Sequence, residues 1–380
     1  MSEELRQVPL GKLGKYIRGI TFTASDKLDA PEAGTVACMR TANIQGHLDD
    51  SDLIHVSSKH VKREEQYLHA GDILISASNS WNLVGKCVSV PELEYPASAG
   101  GFISIFRPDS EVVEPGFIYR WMASSQAQQM LRDCARQTTN IANLNTKQFK
   151  ALAAPVPPRN VQRRFVDAAE QLDATRQRQR SALARLDALL AAVFDEMFGD
   201  PVMNQKDWPT ASVPKLFKDH SSGQPRLKTS EYLDAGCVPV VDQGEAEVSG
   251  YADDRDLLAD VPLPVIVFGD HTRRFKLIDF PFVVGAQGTK LLVPGDRLDP
   301  TFAYHQLRAM PLPSTGYARH YKFLKAMKLI VPPLAEQVRF AEVVRQSDPL
   351  RQRLTAQGAR LDALYAALAA RAFRGDLALT

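Results

Sequence analysis

The stretch VPPRNVQRRFVDAAEQLD at residues 156–173 returns as VPPLAEQVRFAEVVRQSD at residues 331–348. The offset of 175 holds without a gap from Lys150/Lys325 through Leu186-Asp187-Ala188-Leu189 and Leu361-Asp362-Ala363-Leu364 to Phe198/Phe373. Roughly twenty of about fifty aligned positions are identical, so the two stretches are copies. A period this long is not that of a solenoid. It makes the chain two halves, each with a globule followed by the same helical phrase. A length of 380 residues agrees, since single cores stop growing well short of it.

Each globule has mixed local signals. In residues 1–155 the runs GTVACMR, GDILISAS and GKCVSV are strand-like and bounded by Gly, Asp and Asn. Residues 115–137 have helical spacing, with Pro115 and Gly116 at the start. In residues 200–330 the strand-like runs are CVPVV, LPVIVFGD, PFVVGA and TKLLVP, and DPTFAYHQLRAM follows as a short helix. The repeated phrase predicts two helices in each copy, because Pro157-Pro158 and Pro332-Pro333 precede a helix rather than sit inside one. The first pair of helices is expected at about 160–172 and 335–346. Asp348-Pro349 then reads as an N-cap with proline at the first helical position, which starts a second helix there and near Asp173. That helix carries Leu183, Leu186, Leu190, Val193 and Met197, matched by Leu361, Tyr365, Leu368 and Ala372. The 3-4 spacing is a heptad seam of about two repeats. Two such helices in one chain can pack on each other and hold two globules at a fixed separation. A two-part DNA site needs that arrangement, since half-sites recur about one helical turn apart.

Composition narrows the chemistry. The 46 cations and 44 anions leave a formal charge of +2, so nucleic-acid binding has to come from local patches. Cys38, Cys87, Cys134 and Cys237 stand singly, without the spacing of a disulfide framework or a zinc site. The N-terminal stretch lacks a signal-type apolar core and no run approaches a membrane span, which predicts a soluble cytoplasmic protein. No phosphate-binding loop, nucleophile elbow or HExxH is present. The run Asp299-Pro300-Thr301-Phe302 faintly echoes an adenine-methyltransferase motif, but reads as a helix start. Asp270-His271 reads as part of a polar loop tip.

The order of α/β globule, VPP-x3-Q-x-RF helix, α/β globule and VPPLAEQ helix, closing on AFRGDL at 372–377, resembles the specificity subunit of type I restriction-modification systems. LHAGDILISASNSWNLVGK at 68–86 and LPVIVFGDHTRRFKLIDFPFVVGAQGTKLL at 263–292 are similar to the strand–loop–strand core of its target-recognition domains. The resemblance implies a mixed α/β fold with two similar target-recognition globules at 1–155 and 200–330. Conserved helical regions at 156–199 and 331–380 would separate them, packed as an antiparallel coiled-coil-like hairpin with a pseudo-two-fold repeat. It implies a non-catalytic chain that reads a bipartite site on double-stranded DNA, one half-site per globule. The implied partners are two methyltransferase subunits and restriction subunits. S-adenosylmethionine, ATP and magnesium would belong to those partners, and no metal or cofactor to this chain. A self-contained DNA-modifying enzyme and a helical scaffold that does not bind DNA are the other readings.

Loops of the globules would touch DNA. In the second, 270–276 gathers His271, Thr272, Arg273, Arg274 and Lys276 beside an aromatic residue; Arg can bridge guanine O6 and N7, and Lys can meet phosphate. Gln287 and Lys290 follow on the return run, with Tyr317, Arg319, His320 and Lys322 before the second VPP. In the first globule the matching tip is Ser78, Asn79, Ser80, Trp81 and Asn82, with Lys86 behind it. Asn can pair adenine N6 and N7, whereas Trp81 suits either a DNA contact or the core. Arg40, Asn43 and Gln45 after VACM, and Thr139, Asn140 and Asn143 before the helical phrase, complete the candidates.

Overall fold

The computed structural model describes residues 5–138, 141–313 and 319–376. It forms two compact units, Met1–Gln177 with Ala359–Thr380 and Arg178–Gly358. Each has a helix-backed antiparallel sheet, a smaller mixed sheet and stretches of both long helices.

In the first unit the antiparallel sheet runs Gly14–Arg18, Ile103–Pro108, Ile73–Ser76, Cys87–Ser89. The mixed sheet runs Ile54–Ser57, Thr35–Met39, Ala97–Ala99, with the last pair parallel. The second unit repeats the plan with Phe217–Asp219, Thr289–Pro294, Val265–Gly269 and Phe275–Ile278. Its mixed sheet is Arg226–Leu227, Val283–Gly285, Val238–Val241 and Gly250–Ala252. The seven strand-like runs of the sequence all fall on strands. Ile73–Ser76 and Val265–Gly269 are buried along their whole length, as expected of unbroken apolar runs covered on both faces.

The stretch 115–137 is not one helix. It divides into Pro115–Met122 and Ser125–Asp133, followed by the strand Ala135–Gln137. Ser124 caps the second helix by accepting from the Ala127 amide at 3.3 Å, and this local bond outcompetes continued helix. DPTFAYHQLRAM is helical over Pro300–Ala309, and Asp299 accepts from the Thr301 and Phe302 amides.

The repeated phrase also departs from expectation. Each copy is one unbroken helix, Arg159–Phe198 and Leu334–Arg374, with Pro349 inside the second. A helix of 40 residues is about 60 Å long. An interior proline removes one hydrogen bond and crowds the preceding turn. Packing on both sides of Pro349 outweighs that local loss: Phe340 is buried before it, and Ala372 after it.

Within each unit the two long helices run antiparallel. In the first, Phe165 meets Phe373 with ring centroids 5.4 Å apart, and the Arg176 guanidinium lies over Tyr365 and pairs with Asp362 at 2.7 Å. In the second, Phe198 meets Phe340, Arg351 pairs with Asp187 at 2.5 Å, and the Gln179 amide donates to the Leu354 carbonyl at 2.8 Å. Leu186 and Leu190 of the expected apolar stripe are buried, and Phe194 and Phe198 extend it.

One repeated latch ties each globule to the start of its long helix. Gln162 accepts from the Glu114 amide at 2.9 Å and donates to the Pro157 carbonyl at 2.8 Å. Gln337 accepts from the Asp299 amide and donates to the Pro332 carbonyl at the same two distances. Both glutamines are buried, so each satisfies backbone groups that water cannot reach. The aromatic cluster repeats too, with Phe117, Phe165 and Phe373 in one unit and Phe302, Phe340 and Phe198 in the other. The copies differ on the outer face. Arg159 and Arg163 both pair with Glu114, where the second copy exposes Leu334 and Val338.

Candidate nucleic-acid interface

The hairpin between Val265–Gly269 and Phe275–Ile278 carries the basic cluster of the second unit. Gly269 is required there, because a Cβ would stand 2.1 Å from the Thr272 hydroxyl. Arg273 has φ of 61°, so the turn holds it in the left-handed region and exposed. Asp270 anchors the base of the hairpin. Its amide donates to the Gly288 carbonyl, its carboxylate accepts from the Tyr321 amide at 2.7 Å, and its carbonyl accepts from the His320 amide at 2.9 Å.

These anchors divide the candidates. His320 is 1% exposed, with Nδ1 against the Asp270 carbonyl at 2.9 Å. Lys276 is 8% exposed; its ammonium donates to the Ala246 carbonyl and lies 3.8 Å from Asp242. Burial pushes the Lys276 pKa down, against the pull of Asp242. Both side chains hold the loop together rather than project from it. Arg274 pairs with Glu245 at 3.2 Å, and the Thr272 hydroxyl donates to the Gln243 carbonyl at 2.6 Å. His271 is half-buried, and its amide donates to the Gln243 side chain. Lys290 lies over the Tyr321 ring and Lys322 over Phe323. Arg273 and Arg319 are exposed. Gln287 belongs to the adjoining loop, where its carbonyl accepts from the Gln243 amide at 3.2 Å.

Gln243 thus joins the hairpin to the Gln287 loop, a role the sequence does not signal. It lies in no motif, and its partners are 28 to 44 residues away. The two latch glutamines were legible in principle, since Gln162 and Gln337 are identical in both copies of the repeat.

In the first unit Gln45, Asn79 and Lys86 come together. They line a cleft of about 290 Å³ with Thr41, Ser76 and Leu83. The Lys86 ammonium donates to the Gln45 amide oxygen at 3.1 Å, and the Asn79 amide donates to Ser76 at 3.0 Å. Ser78 pairs in register with Asn143 in a small sheet with Ala135–Gln137. Asn143, Ser80 and Asn82 are exposed, and Trp81 is exposed rather than folded into the core. Arg40 and Asn43 are committed elsewhere. Arg40 pairs with Asp52 at 2.7 Å, and buried Asn43 donates to the Asp49 and Asp52 carbonyls. Thr139, Asn140 and Tyr317 lie outside the described residues.

Among the described residues no cluster of His, Cys, Asp or Glu could hold a metal ion, and no helix is long and apolar enough to cross a membrane. The arrangement offers amides, guanidinium and ammonium groups on loops held by a rigid frame. Such groups suit hydrogen bonding to base edges and phosphates.

No protein-family model matches the chain. It is 22% identical over 416 residues to the type I restriction enzyme StySPI specificity subunit of Salmonella potsdam, covering 97% of this chain and 88% of that one. It is 23% identical over 426 residues to the EcoKI specificity subunit of Escherichia coli K12, with the same coverage. A putative MjaX specificity subunit of Methanocaldococcus jannaschii is 22% identical over 316 residues, 74% of this chain and 72% of that one. Among solved structures, the S subunit of a type I restriction-modification system from M. genitalium superposes with a TM-score of 0.56 at 14% identity, covering 97% and 96% of the two chains. The chain that folds into this doubled globule-and-helix plan is therefore similar to type I restriction enzyme specificity subunits, in two of them along 97% of its length.

Proposed function

We propose that the chain is the DNA-reading specificity subunit of a type I restriction-modification complex. In this reading each globule, 1–155 and 200–330, reads one half of a bipartite site on double-stranded DNA. The helical regions 156–199 and 331–380 seat two methyltransferase subunits, and restriction subunits join that core. The observation that carries the proposal is the internal repeat, present as two units with the same sheet order and the same latch on the first turn of the long helix. Two like readers in one chain suit a site with two half-sites, as paired readers elsewhere suit paired half-sites. The whole-length similarity to specificity subunits supports the same reading.

The chain would act in the cytoplasm and carry no catalytic group. S-adenosylmethionine, ATP and magnesium would be bound by its partners. DNA contacts fall to Gln45, Asn79, Lys86 and Asn143 in one unit, and to Arg273, Gln287 and Arg319 in the other. The test is methylome sequencing of a host that expresses this chain with its neighbouring modification subunit. The expected result is adenine methylation at one bipartite motif, absent when either chain is omitted. Methylation without this chain, or at a motif with one continuous half, would overturn the reading.

A further inference from the structure

Phe102 is the most exposed aromatic side chain among the core-type residues of the first unit, at 67%. Its backbone is nonetheless fixed. The Phe102 carbonyl accepts from the Ala77 and Ser78 amides at 2.9 and 3.1 Å, and the next residue, Ile103, is buried in the central sheet. The ring is thus held outward beside Ser78 and Asn79, whose other edge pairs with Ala142 and Asn143. Trp81 and Ile141 are also exposed at this edge. The segments 76–90, 97–105 and 134–145 contribute Lys86 and Arg136 and no carboxylate. This apolar ring therefore stands in a basic, amide-rich surface suited to a polyanion.

The repeat gives the position a meaning. In both units one loop joins the parallel-paired strand to the central sheet, from Ala97–Ala99 to Ile103–Pro108 and from Val283–Gly285 to Thr289–Pro294. Phe102 and Gly288 hold the same place in the two loops, each just before the residue, Ile103 or Thr289, that pairs with Ser76 or Gly269 in the central sheet. Each loop is tied to its reading hairpin by a carbonyl, that of Phe102 to the Ala77 and Ser78 amides and that of Gly288 to the Asp270 amide. One unit thus presents a phenyl ring at this place, and the other a glycine.

We infer that Phe102 reads a thymine, by packing on its 5-methyl group, in the half-site of the first unit. A phenyl ring cannot donate or accept a conventional hydrogen bond. The methyl of thymine is the one apolar group that a base edge presents in the major groove. This inference rests on the DNA-reading function proposed above and adds the base that one residue selects.

The experiment uses the complex of this chain with its modification subunit and duplexes carrying the methylated motif. The half-site of the first unit is assigned by exchanging residues 1–155. Each thymine in it is then replaced in turn by uracil, which lacks only the methyl. One replacement should weaken wild-type binding about fourfold, the worth of one methyl group taken from water. Uracils in the other half-site should have no effect. Phe102→Ala should bind the thymine duplex about tenfold less tightly and no longer distinguish it from uracil, whereas Phe102→Leu should keep the distinction. A half-site without an A·T pair, or a Phe102→Ala complex that still prefers thymine, would overturn the inference. Dissociation of the modification subunit from Phe102→Ala would also overturn it, by making the ring a protein contact. A wild-type complex without any sequence preference would remove the DNA-reading function itself, and the inference with it.

Discussion

Residues of one charge and one loop have opposite roles here, and burial decides which. Arg273 is exposed in a left-handed turn, while Lys276, three residues on, is buried against Ala246 and Asp242. Arg273→Ala is expected to weaken specific DNA binding by about 1–3 kcal/mol if it meets a base, with an unchanged melting temperature. Lys276→Ala should instead lower the melting temperature, because Asp242 loses its cation and the Ala246 carbonyl its donor. Binding isotherms and thermal melts on both variants separate the two roles. The latch glutamines show the same logic without charge. Gln337→Ala leaves the Asp299 amide and the Pro332 carbonyl without their partner in a buried site, at a cost of about 1–3 kcal/mol. Denaturant unfolding should show that loss, and Gln162→Ala should match it in the other unit.

At the scale of elements, the long helices show packing overriding local preference. Asp348-Pro349 is a good helix start by side-chain chemistry, and the helix nevertheless runs through it. The proline keeps its local cost, so Pro349→Ala should raise stability by about 1–3 kcal/mol. Circular dichroism should report the same helical content at a higher melting temperature. A fall in stability would mean that the proline bends the helix into a shape its packing needs. The 115–137 stretch is the opposite case, where the Ser124 cap divides an apparently continuous helix.

At the scale of the whole molecule, the division into units cuts each long helix, near Gln177 in the first and near Gly358 in the second. A change in the length of one helix alone would break the antiparallel register marked by Gln179 with Leu354 and by Arg176 with Asp362. The informative variant inserts four residues, close to one turn, after Gln177 and after Gly358 together. Each helix then grows by about 6 Å. If the helices set the half-site spacing, the non-specific spacer of the methylated motif should grow by one or two base pairs, with both half-site sequences unchanged. An unchanged spacer in a variant that still directs methylation would leave the helices as a structural joint.

The sequence by itself determined the doubling, the seven strands of its apolar runs and the helix start at Asp299. Each of these is written in local periodicity, capping chemistry or identity between copies. It did not determine strands such as Gly14–Arg18, Ile103–Pro108 and Phe217–Asp219. The second aromatic cluster follows from the repeat once the first is known, because Phe165 and Phe340 share a register, as do Phe198 and Phe373. Loop direction was not legible. Asn43, Lys276 and His320 look as available in the sequence as Arg273 or Asn143, yet their partners Asp49, Ala246 and Asp270 turn them inward, and Arg40 is taken up by a surface ion pair with Asp52. Phe102 looks like a core residue and points out, because Ile103, not Phe102, takes the place in the central sheet. Only the tertiary structure decided these, since a side chain's exposure depends on which distant segment packs over it. The free energy that keeps a helix running through Pro349 likewise comes from contacts far along the chain, which no local window of sequence contains.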